Sequence, residues 1–218
     1  MTTPDGAPQV GSSLARPHVW QPGRAGPPLL LLHGTGDNEH GLLELGEHLA
    51  PGSPLLSPRG TVLEGTMPRH FRRLREGVFD EADLRVRADE LAEFIDVAAG
   101  RYGFASSSLV AVGFSNGANM AAALLLTHPG LLKAAILIAA VAPFAEPPGA
   151  EEARALSGHD VLISNGLRDP MAPPEQADLL AKQLTARGAA VTLLTHAGGH
   201  QFAPEHVPAM REFLQANA

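Results

Sequence analysis

Apolar residues fall along this chain in short runs, separated by longer stretches with a helical period. Leu29–Leu32 is continuously apolar behind Pro27-Pro28, and this predicts a strand buried on both faces. Asn38 to about Ala50 reads as a helix closed by Pro51-Gly52, and Leu55-Leu56 as a short strand after it. From Asp80 to Ala99, the residues Leu84, Ala88, Leu91, Ile95 and Ala98 recur at spacings of three and four. That is the stripe of an amphipathic helix, with Gly100 and Gly103 as stop signals. Leu109–Val112, Ala135–Ala139, Val161–Ser164 and Val191–Thr195 continue the strands; Asn116–Thr127, Pro174–Arg187 and Pro204–Gln215 continue the helices.

Strands alternating with helices predict an α/β fold, with a mostly parallel central sheet covered by helices on both faces. Two stretches break the rhythm. Gly60–Phe79 has no clear period and carries Arg69, Arg72, Arg73 and Arg75, so it is expected to lie outside the sheet. Pro143–Gly149 interrupts the pattern again before Val161 resumes it. Met1 to about Gly11, rich in Pro, Gly, Thr and Ser, is expected to fray. No internal repeat and no long linker divides the rest, so residues 1–218 are expected to form a single domain.

Composition narrows the partners. A net charge of -7, from 23 acidic and 16 basic residues that are interspersed, leaves no basic footprint for nucleic acid or an anionic membrane. The absence of cysteine removes disulfides, thiolate metal ligands and a cysteine nucleophile together. Met1–His18 has neither the basic start nor the apolar core of a signal peptide. The longest apolar run, Ala134–Ala142, is about nine residues, against the ~20 that a membrane-spanning helix needs. A cytoplasmic protein without a membrane span is expected. The 10 histidines include no His-Glu-x-x-His or comparable spacing, so neither a metal nor any other cofactor is expected. The oligomeric state stays open, a homodimer included.

The sharpest chemical signal is Gly113-Phe114-Ser115-Asn116-Gly117, between a strand and a helix. A nucleophile on such a turn takes strained backbone angles, and small flanking residues let strand and helix approach closely. His33-Gly34-Thr35-Gly36-Asp37 follows the first strand. Its glycines let a backbone N–H turn inward, and Thr35 and Asn116 are the expected donors of an oxyanion hole. A dinucleotide-binding loop is the rival reading of Gly34-x-Gly36, and it fails because its third glycine position is Glu39. Asp169 stands beyond the carboxyl end of the Val161–Ser164 strand, and His200 beyond the last strand behind a glycine pair. The order serine, acid, base is that of a hydrolytic triad with Ser115 as nucleophile, Asp169 as orienting acid and His200 as base. His196 and His206 are expected on the surface. Met67 and Phe71 are expected to line an acyl pocket, with an arginine such as Arg69 at the substrate's polar end.

At these residues the chain resembles the phospholipase/carboxylesterase branch of the α/β-hydrolase superfamily, which includes dienelactone-hydrolase-like enzymes. Within it, the likeness is to the carboxylesterases linked to hydroquinone and quinone stress. It rests on Leu32-His33-Gly34-Thr35-Gly36, Ser57-Pro58-Arg59-Gly60, Met67-Pro68-Arg69-His70-Phe71-Arg72-Arg73, Gly113–Asn119, Gly166–Pro170 and Gly199-His200-Gln201. His70 stands where an aromatic is expected in that group. The resemblance implies an α/β-hydrolase fold with a minimal cap and a cofactor-free serine carboxylesterase for small to medium acyl esters. Dienelactone hydrolysis itself uses a cysteine nucleophile, which Ser115 replaces here. The alternatives are an acyl-protein thioesterase or lysophospholipase, and a non-catalytic ligand-binding protein of the same fold.

Overall fold

The computed structural model describes residues 13–147 and 155–218. The expected fraying of Met1–Gly11 and the end of the Pro143–Gly149 interruption therefore lie outside the described residues. Seven strands form the central sheet: β1 (His18–Gln21), β2 (Leu29–Leu32), β3 (Leu55–Pro58), β8 (Val110–Phe114), β9 (Ala134–Ile138), β10 (Asp160–Gly166) and β11 (Ala190–His196). Their spatial order is β1-β3-β2-β8-β9-β10-β11. Only β1 runs antiparallel to its neighbour; every other pair is parallel.

The helices are α1 (Leu43–Leu49), α2 (Glu81–Tyr102), α3 (Asn116–Thr127), α4 (Pro174–Ala186) and α5 (Val207–Ala216). Alternation along the strands sorts them into two layers. Leu30, Leu32, Ala111, Leu137 and Ile163 meet α2, α3 and α4, whereas Leu29, Leu31, Val112 and Ile136 meet α1 and α5. A run of four leucines is what a strand needs when both faces are covered. Helix α2 starts at Asp80, whose side chain accepts from the Asp83 N–H at 3.1 Å, and ends at Gly103 with φ 79°. Gly100 is not a stop signal; it lies inside the helix. No helix among the described residues is long and apolar enough to cross a membrane.

The helix expected from Asn38 begins only at Leu43. Asn38 and His40 donate their N–H groups to the side chains of Asp37 and Asn38, at 2.8 and 2.9 Å. Such side-chain acceptors hold the backbone in turns that compete with a helix. Strand β1 carries little apolar signal, and is anchored instead by Trp20 stacked on Tyr102 at 4.7 Å. The Gly60–Phe79 excursion leaves the sheet as expected, but it is ordered. It folds into two antiparallel ribbons, β4 (Val62–Glu64) with β5 (Met67–Arg69), and β6 (Arg73–Arg75) with β7 (Val78–Phe79).

Phe71 joins the ribbons. It is fully buried in the α2–α3 core, with its ring edge-on to Phe79 at 5.0 Å. It is therefore a core residue. Phe71→Ala should cost about 3–5 kcal/mol of stability, read as a lower denaturation midpoint in urea. A loss under about 1 kcal/mol would mean that the ribbons pack on the body without this anchor.

Candidate active site

Strand β8 and helix α3 meet at Ser115, which has φ 52° and ψ -115°. A positive φ is costly for a residue with a Cβ, and it persists only where the surroundings enforce it. Here the surroundings are backbone. A Cβ on Gly113 would stand 2.7 Å from the Ala118 backbone, and one on Gly117 would run into the Leu32 carbonyl. The Ser115 N–H donates to the Ile138 carbonyl at 2.8 Å, and its own carbonyl accepts from Asn119 N–H at 2.9 Å. The serine is thus lifted out of the regular path, with its hydroxyl at the carboxyl edge of the sheet.

Strands β10 and β11 deliver the other two groups to that edge. Their loops are tied together: Leu167 N–H donates to the His196 carbonyl at 2.8 Å, and Arg168 N–H to the Gly198 carbonyl at 3.0 Å. Asp169 is 2% exposed. Its Oδ1 accepts from the N–H groups of Met171 and Ala172 at 2.8 and 3.0 Å, and its Oδ2 lies 2.7 Å from His200 Nδ1. His200 Nε2 lies 2.8 Å from Ser115 Oγ. A carboxylate can only accept, so the imidazole proton sits on Nδ1 and Nε2 is left to accept from the serine hydroxyl. Phe114 packs against the His200 ring at 5.3 Å.

A cavity of about 540 Å³ opens over this chain of hydrogen bonds. Ser115, His200, Thr35 and Asn116 line it together, with apolar walls from Val78, Phe79, Val141, Met171 and Leu179. The structure corrects the substrate-contact expectations in part. Arg69 borders the cavity, but Met67 and Phe71 do not. Met67 is 41% exposed and packs beside Gly36, while Phe71 is in the core. The walls come instead from β7, the loop after β9, and the first part of α4. The proline-rich break after β9 was the available signal, because ligands in such sheets sit beyond the carboxyl ends of strands.

His196 and His206 are corrected too. Both are buried, with His206 Nδ1 2.8 Å from Ser164 Oγ and His196 Nδ1 accepting from Gly198 N–H at 3.1 Å. They hold the end of β11 beneath the His200 loop. His70 takes the place of the expected aromatic by stacking on His33, with ring centroids 4.5 Å apart. Burial lowers the pKa of both imidazoles, that of His70 well below the ordinary range, with the His33 ring beside it adding to the shift. Glu64 is held below the usual carboxylate range by hydrogen bonds from Arg73. Among the described residues, no three His, Asp or Glu side chains converge as a metal site.

Delivery of serine, carboxylate and histidine in that chain order to one edge of a mostly parallel sheet is the mark of the α/β-hydrolases, and the chain is a serine-type enzyme of that class. It belongs to the phospholipase/carboxylesterase family, whose pattern matches residues 19–218. It is 43% identical over 198 residues to the hydrolase MhqD of Bacillus subtilis, covering 91% of this chain and 97% of that one. Its structure is similar to that of a Bacillus cereus carboxylesterase, at 40% identity and a TM-score of 0.89, covering 95% and 100% of the two chains. A carboxylesterase from Mesorhizobium loti matches at 28% identity and a TM-score of 0.81, over 88% and 90%. Ester hydrolysis is thus the chemistry of this family, as the sequence resemblance implied.

The buried histidine pair predicts how stability depends on pH. An unfolded histidine takes up a proton near pH 6.5, while His33 and His70 resist it in the fold. Below that pH the unfolded chain binds more protons, so this contribution is full above about pH 6.5 and is lost as pH falls towards the lowered folded values. Tm should decline from pH 7 to 5, and His70→Phe should flatten the decline. Parallel Tm curves for the two proteins would show that other groups set the acid limb.

Proposed function

We propose that Ser115, His200 and Asp169 are the catalytic triad of a carboxylesterase that hydrolyses small to medium acyl esters through an acyl-enzyme. The observation that carries this reading is the unbroken chain Asp169–His200–Ser115, at 2.7 and 2.8 Å, opening onto the cavity. Ser115 Oγ attacks the acyl carbonyl while His200 Nε2 takes its proton. Asp169 holds the productive tautomer and stabilises the imidazolium that forms. The backbone N–H groups of Thr35 and Asn116 receive the oxyanion; Asn116 is the first residue of α3, where N–H groups have no partner within the helix. His200 then returns its proton to the leaving alkoxide, and a water activated by the same histidine cleaves the acyl-enzyme.

The cavity of about 540 Å³ is of the size that holds a small organic ligand. Its apolar walls suit an acyl or aryl group, and a small-molecule ester is the partner this reading requires.

A fluorophosphonate should label Ser115 alone, and Ser115→Ala should abolish both labelling and p-nitrophenyl ester hydrolysis. Label mapped to another serine would overturn the assignment. Asp169→Asn should fold normally and lose about 10⁴ in kcat, by analogy with a serine protease that holds the wrong imidazole tautomer; wild-type kcat would mean that another carboxylate serves. Leu179 is 38% exposed on the cavity wall, so enlarging it leaves the core intact. Leu179→Trp should lower kcat/KM for medium esters relative to acetates by roughly tenfold or more. An unchanged ratio across a chain-length series would place the acyl group elsewhere.

A further inference from the structure

The two ribbons between β3 and α2 are more than a cavity wall. Four of their residues reach the loop after β2 and the start of α3, where the two oxyanion donors of the proposed mechanism lie. Gly60 N–H donates to His33 Nε2 at 2.9 Å. The Pro68 carbonyl accepts from Gly36 N–H at 2.9 Å. Arg69 donates to Thr35 Oγ1 at 2.8 Å, and His70 N–H donates to Asn116 Oδ1 at 2.7 Å.

These contacts fix orientation as well as position. A backbone N–H can only donate, so Gly60 obliges His33 Nε2 to accept, and the imidazole proton must sit on Nδ1. From there it reaches the Gly34 carbonyl at 2.7 Å. A trans peptide directs its N–H opposite to its C=O. Holding the Gly34 oxygen against His33 therefore turns the Thr35 N–H away from that ring. The next peptide is pinned through Gly36 and Pro68, and the Thr35 side chain through Arg69. Burial keeps His33 neutral, as this relay requires.

Arg69 was expected at the substrate's polar end, yet its side chain is only 4% exposed. Its guanidinium is spent on Thr35, on the Phe71 carbonyl at 3.1 Å, and on Glu64 at 3.2 Å. The planar fork of an arginine meets several such acceptors at fixed angles, which a lysine ammonium on a flexible stem does not.

We infer that the β4–β5 ribbon and the residues just after it are the positioning device for both oxyanion donors, with Arg69 and His33 acting as positioning residues through Thr35 and its preceding peptide. The inference rests on the proposed roles of Thr35 and Asn116. Its signature is a loss confined to the transition state. Outright removal of one oxyanion donor costs about 10²–10³ in kcat, and misalignment of a donor that is still present should cost less.

The test uses Arg69→Lys, Thr35→Val and the double variant of the full chain, with p-nitrophenyl butyrate as substrate and a trifluoromethyl ketone as transition-state analogue. Thr35→Val keeps the backbone N–H and the shape of the side chain, so it carries the test even where Arg69→Lys lowers Tm. Each single variant should lose roughly 10- to 100-fold in kcat with KM within about twofold, and the ketone should weaken by the same factor. The double variant should be no worse than the weaker single one, because both remove one contact. Wild-type kcat in Thr35→Val, additive losses, or a defect seen only in KM would overturn the inference, the last by making Arg69 a substrate contact. Retained activity in Ser115→Ala would instead sink the underlying mechanism. An inert Ser115→Ala beside an unaffected Thr35→Val sinks the positioning role alone.

Discussion

The site depends on how closely helix α3 is seated against the two central strands. Gly113 and Gly117 admit the backbones of Ala118 and Leu32 at distances that no side chain allows. That approach forces Ser115 into a positive φ and aims its hydroxyl out of the sheet. It also brings the first N–H of α3 beside the loop after β2, so that nucleophile and oxyanion donors occupy one small volume. The strain at Ser115 is held by packing that the fold already owns: a fully buried α3 against leucine-rich β2 and β8. Rate and stability therefore draw on the same contacts.

The remaining machinery is delivered by parallel pairing. Because β8, β10 and β11 run in the same direction, their carboxyl ends share an edge, and any loop leaving that edge is within reach of Ser115. Asp169 and His200 need only short loops, and hydrogen bonds between those loops keep the pair in register. Buried His196 and His206 tighten the support by anchoring the end of β11 from below.

Most of this was legible in the residues. Strands buried on both faces announce themselves as apolar runs, and the triad as three side chains in a fixed order after three such runs. What was not legible lies where local signals are short or the decisive contacts are remote. Ribbons β4 to β7 have two or three residues per strand, too few for alternation to show. Phe71 and Met67 were read as wall residues because they share a segment with Arg69. Which way each side chain turns is set by packing against α2 and Gly36, and no spacing reveals that. His196 and His206 looked like surface histidines because their partners, Gly198 and Ser164, satisfy them only once β10 and β11 are paired. The start of α1 was misjudged because Asp37 and Asn38 spend their side chains on local turns.

The two ribbons divide their tasks. Val78 and Phe79 of the second shape the cavity, while the contacts to Thr35 and Asn116 come from the first and the residues just after it. Evolution can therefore alter substrate range by substitutions around Val78 while leaving the catalytic geometry alone. Drift around Arg69 carries no such freedom. A lineage exploring new esters should accumulate its changes in the second ribbon and hold the first nearly still.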